Sequence, residues 1–120
     1  MTLQDVMNRQ VYAVAGDTRN PEKFAARIKT GLQEQGYTAY GVGKELASFD
    51  EIPENIDVID LCIRADRGLE LLKTTKKSYK AVVVQPGAES PELLAWLTEQ
   101  QIPFLQDCLL IGMEQYPRTK

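Results

Sequence analysis

The stretch V-Y-A-V-A-G-D-T-R-N-P-E-K, residues 11–23, decides the fold. Val11 to Ala15 suit a buried strand, and they run directly into Gly16. A short polar turn follows, then Asn20-Pro21. Asn is a preferred helix N-cap because its side-chain oxygen accepts a free backbone N–H. Pro at the first helical position loses nothing, since that N–H has no intrahelical partner. The segment therefore reads as strand, glycine turn and helix start. Such a turn aims free N–H groups and the positive end of the helix dipole at one spot, which suits a phosphate. Gly16 permits a tight turn and close backbone approach. Thr18 and Arg19 can donate to phosphate oxygens, Arg19 through a charged fork. The G-x-G-x-x-G fingerprint is absent, because Thr18 and Arg19 stand where further glycines would fall. On this stretch alone, a plain strand-to-helix loop reads equally well.

Outward from there the chain alternates. A helix is expected from Pro21 to about Gln35, with Phe24, Ile28 and Leu32 as its buried stripe and Gly36 as its stop. Thr38 to Val42 reads as a second strand, with Gly41 inside it. Phe49 to Pro53 suggests a short helical turn. Val58 to Ile63 reads as a strand interrupted by Asp60, and Asp66 to about Thr75 as a helix with Leu69 and Leu72 inward and Asp66 a candidate cap. Ala81 to Val84 is a continuous apolar strand, the kind covered on both faces. Ser90-Pro91 repeats the cap-then-proline signal ahead of Leu93, Leu94 and Leu97. Ile102 to Leu105 is a fifth strand. Leu109 to Ile111 either extends the sheet or opens a last helix, and Tyr116-Pro117 reads as a mobile tail. Strands separated by helices of this length make parallel βαβ units. The expectation is an α/β chain, a three-layer Rossmann-like fold with a mainly parallel sheet of about five strands, in one domain over residues 1–120. A Rossmann-like strand order is preferred over a flavodoxin-like one.

Composition limits the function. Apolar content of 43% and charged content of 26% fit a globular chain. A net charge of −3 argues against a nucleic-acid partner. The lysines at 73, 76, 77 and 80 form a local cluster at an expected helix C-terminus, where cations suit the dipole. No apolar run reaches a membrane span, and Met1 to Arg9 does not read as a secretory signal. The chain has no histidine, which removes the commonest general base and metal ligand. Cys62 and Cys108 lack metal-ligand spacing, so a reduced, cytoplasmic protein without a metal is expected. Cys62 reads as core filler and Cys108 as filler or loop packing. Asp60 must be hydrogen-bonded or shifted in pKa if buried; a structural carboxylate or a catalytic one would both fit.

In a parallel sheet, the loops after the strands share one edge. They carry Gly16-Asp17-Thr18-Arg19-Asn20, Gly43-Lys44, Ile63-Arg64, Gln85-Pro86-Gly87 and Gln106-Asp107-Cys108. Dinucleotide folds for an unmodified ribose usually end the second strand with an acid. Here Lys44 would suit a phosphorylated ribose, although Glu45 follows it and an ordinary exposed lysine reads as well.

The string A-V-A-G-D-T-R-N-P-E-K resembles the opening of the coenzyme A-binding domain family, small Rossmann-like proteins and the nucleotide-binding portions of acyl-CoA ligases. The likeness continues through Leu46 to Pro53, D-V-I-D-L-C-I-R at 57–64, V-V-V-Q-P-G-A-E at 82–89 and D-C-L-L-I at 107–111, so it spans about Val11 to Glu114. Thr18 matches the family's hydroxyl residue two after the glycine, and Asn20-Pro21 its helix start. Gly43-Lys44 replaces the family's Asn-Pro, and Ile63 stands where a second arginine often precedes the matching Arg64. Gln85-Pro86-Gly87 and Cys108 match. The resemblance implies coenzyme A or an acyl-CoA as ligand, contacted by Gly16, Asp17, Thr18, Arg19, Asn20, Pro21, Lys23, Val42, Gly43, Lys44, Ile63, Arg64, Gln85, Pro86, Gly87 and Cys108. It implies binding without catalysis, since ligase relatives need a histidine segment and an ATP-binding partner domain. A second copy or an acyl-CoA-using enzyme is left open as a partner. The competing readings are an interaction or regulatory module with a decayed nucleotide site, and a small nicotinamide-dependent oxidoreductase.

Overall fold

A computed structural model describes residues 1–118. Its elements are α1 (Leu3–Met7), β1 (Val11–Gly16), α2 (Phe24–Glu34), β2 (Thr38–Gly43), a 3-10 turn (Phe49–Glu51), β3 (Ile56–Leu61), α3 (Ala65–Thr74), β4 (Tyr79–Val84), α4 (Pro91–Glu99), β5 (Phe104–Gln106) and α5 (Leu109–Gln115). The five strands form one all-parallel sheet in the order β2-β1-β3-β4-β5.

Strand period places alternate residues on opposite faces, and both faces are covered. Tyr12, Val14, Val58 and Val83 pack with Ala25, Ile28 and Leu32 of α2, Val6 and Met7 of α1, and Leu109 and Met113 of α5. Ala13, Ala15, Ile59, Leu61, Val82 and Val84 pack on the other side with Phe49, Ile52, Leu72, Leu93 and Leu97. The three-layer α/β expectation holds. Its strand order does not, because the order found is the flavodoxin-like one. A Rossmann order needs a further strand outside β2. Residues 44–55 instead supply only the 3-10 turn, whose Phe49 and Ile52 are fully buried where a crossover helix would lie. The chain then enters β3 on the far side of β1.

Local signals explain most boundaries. Ser90 Oγ accepts from Leu93 N at 3.0 Å, with Pro91 at the first position of α4. Ile28 and Leu32 are 0% exposed; each such burial is worth about 1.5–3 kcal/mol. Phe24 departs from the expected stripe and is 61% exposed. Leu109 begins a helix rather than extending the sheet. The short helix α1 is too brief to show a periodic pattern; Thr2 and Asp5 form a capping box at its start. The expected mobile tail folds back: Arg118 lies 3.6 Å over the Tyr37 ring and donates to Gln10 Oε1 and the Arg9 carbonyl. Among the described residues, no helix is long and apolar enough to cross a membrane.

Candidate functional site

The loop after β1 leads to α2 on one face, and the loop after β3 leads to α3 on the other. The strand ends therefore part between β1 and β3, and such a crevice is where open parallel sheets take ligands.

Gly16 closes this crevice. Its φ is +151°, and an added Cβ would sit 2.4 Å from the Cys62 carbonyl oxygen and 2.9 Å from Ala25 Cβ. Glycine is thus required by the approach of β3 and α2 to β1. After it, Asp17 Oδ1 accepts from Arg19 N and Asn20 N, and Asn20 Oδ1 accepts from Glu22 N at 3.0 Å. These two side-chain turns replace the expected cap. Asn20 spends its oxygen two residues ahead, Pro21 lies outside the helix, and α2 starts at Phe24 behind Lys23 with no side-chain cap. The free N–H groups at the start of α2 are accordingly shifted toward Phe24.

Thr18 is buried, and its hydroxyl explains Gly41: a Cβ there would lie 2.1 Å from Thr18 Oγ1 and 2.7 Å from Glu45 Oε1. Lys29, at 2.7 Å, and then the Thr18 hydroxyl hold the Glu45 carboxyl below its ordinary range. Thr18 Oγ1 lies beside that carboxylate without a well-formed hydrogen bond. Arg19 Nη1 reaches the Lys44 carbonyl at 3.4 Å, which joins the loops after β1 and β2. Arg19, Lys23 and Lys44 are exposed cations. Gly43 pairs with Gly16 in register. Val42 is 0% exposed and turns into the core.

Beyond β1, Asp60 is fully buried and accepts from Gln85 Nε2 at 2.7 Å. Burial pushes its carboxyl up to about 7, with the Gln85 hydrogen bond opposing. Cys62, two residues on and on the same face, is pushed up to about 12, chiefly by burial and then by Asp60 and Cys108. Both cysteines are free. Cys62, Gln85, Pro86, Cys108 and Phe24 enclose a hollow of about 160 Å³. A neighbouring hollow of about 230 Å³ shares Cys62, Gln85 and Pro86 and continues past Ile63, Gly87 and Ala88. Gly87 has φ +93° with open space where a Cβ would stand, so backbone conformation alone calls for glycine there. Arg64 is exposed and pairs with Asp66 at 3.0 Å, and Asp66 caps nothing.

The structure thus brings Cys108, Gln85-Pro86-Gly87 and Ile63 around the hollows, and Arg19 and Lys44 together beside β2. Phe24 and Asp60 are the additions. An aromatic at the first position of a helix has no preceding turn to pack on, and the delayed start of α2 puts Phe24 in that position, its ring covered by the Arg27 guanidinium 5.3 Å away. A larger hollow of about 530 Å³ lies at the opposite end of the sheet, lined by Met1, Asp5, Asn8, Arg9, Lys80, Ala81 and Pro103. It is at the amino ends of the strands, away from the crevice. Among the described residues, no cluster of three His, Cys, Asp or Glu side chains could hold a metal.

The profile of a family described as "CoA binding domain" matches residues 10–114. No curated protein matches the chain. Several solved structures share its fold. A conserved hypothetical protein from Pyrococcus furiosus is 24% identical over 86% of this chain and 98% of its own, with a TM-score of 0.76. A hypothetical protein from Pyrococcus horikoshii OT3 is 23% identical over 96% of this chain and 92% of its own, with a TM-score of 0.84. A protein named Prb, a redesign for binding of the PH1109 protein, is 22% identical over 100% of this chain and 95% of its own, with a TM-score of 0.85.

Proposed function

The chain belongs to the CoA-binding domain family, and on that footing we propose that it binds coenzyme A or an acyl-CoA along the carboxyl edge of its sheet, without chemistry of its own. One observation carries this reading. A glycine turn opens at the crevice between β1 and β3, with exposed Arg19 and Lys44 meeting beside β2 and Lys23 ahead of α2, and on the β3 side mainly apolar hollows bounded by Phe24, Cys62, Gln85 and Cys108 run on to Gly87. Cations and the free N–H groups of α2 suit phosphates. The apolar hollows with one carboxamide, Gln85, in their lining suit a slender arm that carries apolar segments and a few hydrogen-bonding groups. Lys44 would meet a ribose phosphate. The chain has no histidine to act as a base or to carry a phosphoryl group. The free thiols fit a cytoplasmic setting, where a CoA-using enzyme would receive the ligand.

One observation favours a second reading, an interaction module whose nucleotide site has decayed. The Thr18 hydroxyl is packed inward over Gly41, and Arg19 is engaged by the Lys44 carbonyl. A melting-shift series with CoA, acetyl-CoA, dephospho-CoA, NAD and NADP separates the two. A ligand at a hundredfold excess over its Kd adds about 2.7 kcal/mol to the folded state. CoA should raise the melting point most, dephospho-CoA less and NAD least. No shift at millimolar CoA would leave the interaction module.

A further inference from the structure

A buried carboxyl group with a single partner stands at the hollow of the carboxyl edge. Asp60 Oδ1 accepts from Gln85 Nε2 at 2.7 Å, and Asp60 Oδ2 has no partner. Both residues lie on the face covered by α2 and α5, because Val58 and Val83, two residues earlier on β3 and β4, pack there. A carboxylate only accepts, so the Gln85 carboxamide must turn its NH2 toward Asp60. Gln85 Oε1 is then left for a partner outside the pair, and it accepts from no group among the described residues. Gln85 is also the one carboxamide lining the hollow, among Phe24, Pro86 and the thiols of Cys62 and Cys108.

We propose that Asp60 is a positioning residue, fixing the Gln85 carboxamide so that its oxygen receives an amide N–H or free S–H from the thiol arm of the ligand. This rests on the CoA-binding reading and assigns the hollow to that arm rather than to the nucleotide. A donor on Oε1 and an Asp60 carboxylate on the NH2 group reinforce each other. A protonated Asp60 can instead donate to Oε1 and compete with the ligand. Ligand binding therefore favours the ionised form of Asp60. Because burial raises Asp60 to about 7, affinity should rise as pH passes upward through that value, and binding near it should expel a proton. The residues paired with Asp60 in the sheet, Val14 and Val83, are uncharged, as are Ala25 and Ile28 from α2 and Leu109 from α5. The titratable groups on that side are the two thiols and, toward the amino edge, the Tyr12 and Tyr37 hydroxyls; burial raises both hydroxyls further and Cys62 to about 12, so these three stay neutral around pH 7.

Calorimetric titration at pH 7, in two buffers of different ionisation enthalpy, counts the proton. The probes are CoA and adenosine 3′,5′-diphosphate, which lacks the arm. The wild-type protein should release more of a proton with CoA than Asp60→Asn does, while the diphosphate, whose phosphomonoesters titrate at about pH 6, should release the same amount from both. Asp60→Asn should still bind CoA, with only the release and pH dependence that the ligand's own phosphates cause. Gln85→Met should weaken CoA about three- to tenfold, the worth of one hydrogen bond, and leave the diphosphate unchanged. Wild-type CoA binding without proton release, the same release in Asp60→Asn, or equal weakening of both probes in Gln85→Met would overturn the proposal and leave CoA binding standing. A wild-type protein that binds no CoA would overturn both.

Discussion

The two ends of the sheet treat their buried polar groups in opposite ways. At the amino edge, Asp57 accepts from Val11 N at 2.9 Å and Gln10 N at 3.1 Å, and pairs with Lys80 at 3.3 Å. The Tyr12 and Tyr37 hydroxyls donate to the carbonyls of Val6 and Met7, and their rings meet edge-on at 5.2 Å. Three residues further along β3, Asp60 has one partner. The two buried side-chain oxygens without a well-formed hydrogen bond among the described residues, Thr18 Oγ1 beside the Glu45 carboxylate and Asp60 Oδ2, both belong to the carboxyl edge. A buried polar group left unpaired costs about 1–3 kcal/mol. One end is closed by the chain's own bonds; the other keeps unmet hydrogen-bonding capacity where parallel sheets take ligands.

The sharpest way to break this contrast is at Gly16. Gly16→Ala puts a Cβ against the Cys62 carbonyl at a φ of +151°. Overpacking and backbone strain together should cost about 3 kcal/mol or more, read by urea denaturation. A variant as stable as wild type would mean that β1, β3 and α2 do not meet there as described. The glycine at the turn is therefore no clean probe of ligand contact.

Next come the two carboxylates of β3, whose pH signs are opposite. Burial lifts Asp60 to about 7, against an unfolded value near 3.9. The folded state holds the extra proton, so this group's contribution to stability falls as pH rises from about 4 to 7. Asp60→Asn should remove that slope and stabilise the protein above pH 7, on the order of 2 kcal/mol. A variant less stable than wild type at pH 8 would show that the carboxylate is better served than its one bond suggests. For Asp57, burial also pushes upward, but the N–H groups of Val11 and Gln10 and the Lys80 ammonium outweigh it and hold the carboxyl below its ordinary range. Its contribution is present above the unfolded pKa and is lost as pH falls through the folded one. Asp57→Asn should cost about 1 kcal/mol at neutral pH and flatten the acid limb of the stability curve; an unchanged acid limb would remove Asp57 from the account of the amino edge.

The smallest effect is expected at Arg64, which faces solvent with its partner Asp66. Arg64→Ala should change stability by no more than about 0.5 kcal/mol. A larger loss in the ligand-free protein would make the loop after β3 a structural fastening.

The sequence carried the periodic features well and the long-range ones poorly. Ala81 to Val84 announces a doubly covered strand, and Ser90-Pro91 a capped helix, because a few adjacent residues determine each. Strand order depends on whether residues 44–55 contain another strand, and Phe49 and Ile52 read only as a turn without saying what they cover. Asn20-Pro21 has the composition of a helix start, yet Asn20 equally satisfies a turn two residues ahead, and the choice moved Phe24 from the core to the rim of the hollow. Gly41 looked like a weakness in β2; it is the seat of the Thr18 side chain. Asp60 was visible as an anomaly, but its partner Gln85 lies on another strand, and no spacing in the sequence joins them.

Amide chemical-shift mapping during a CoA titration tests the contrast between the two edges most directly. Saturable shifts are expected at the non-proline residues of 16–24, 62–64 and 85–88 and at Cys108, with Val6, Tyr37 and Asp57 at the amino edge unmoved. Shifts concentrated instead around Arg9, Lys80 and Pro103, in the larger hollow at the amino edge, would contradict that contrast.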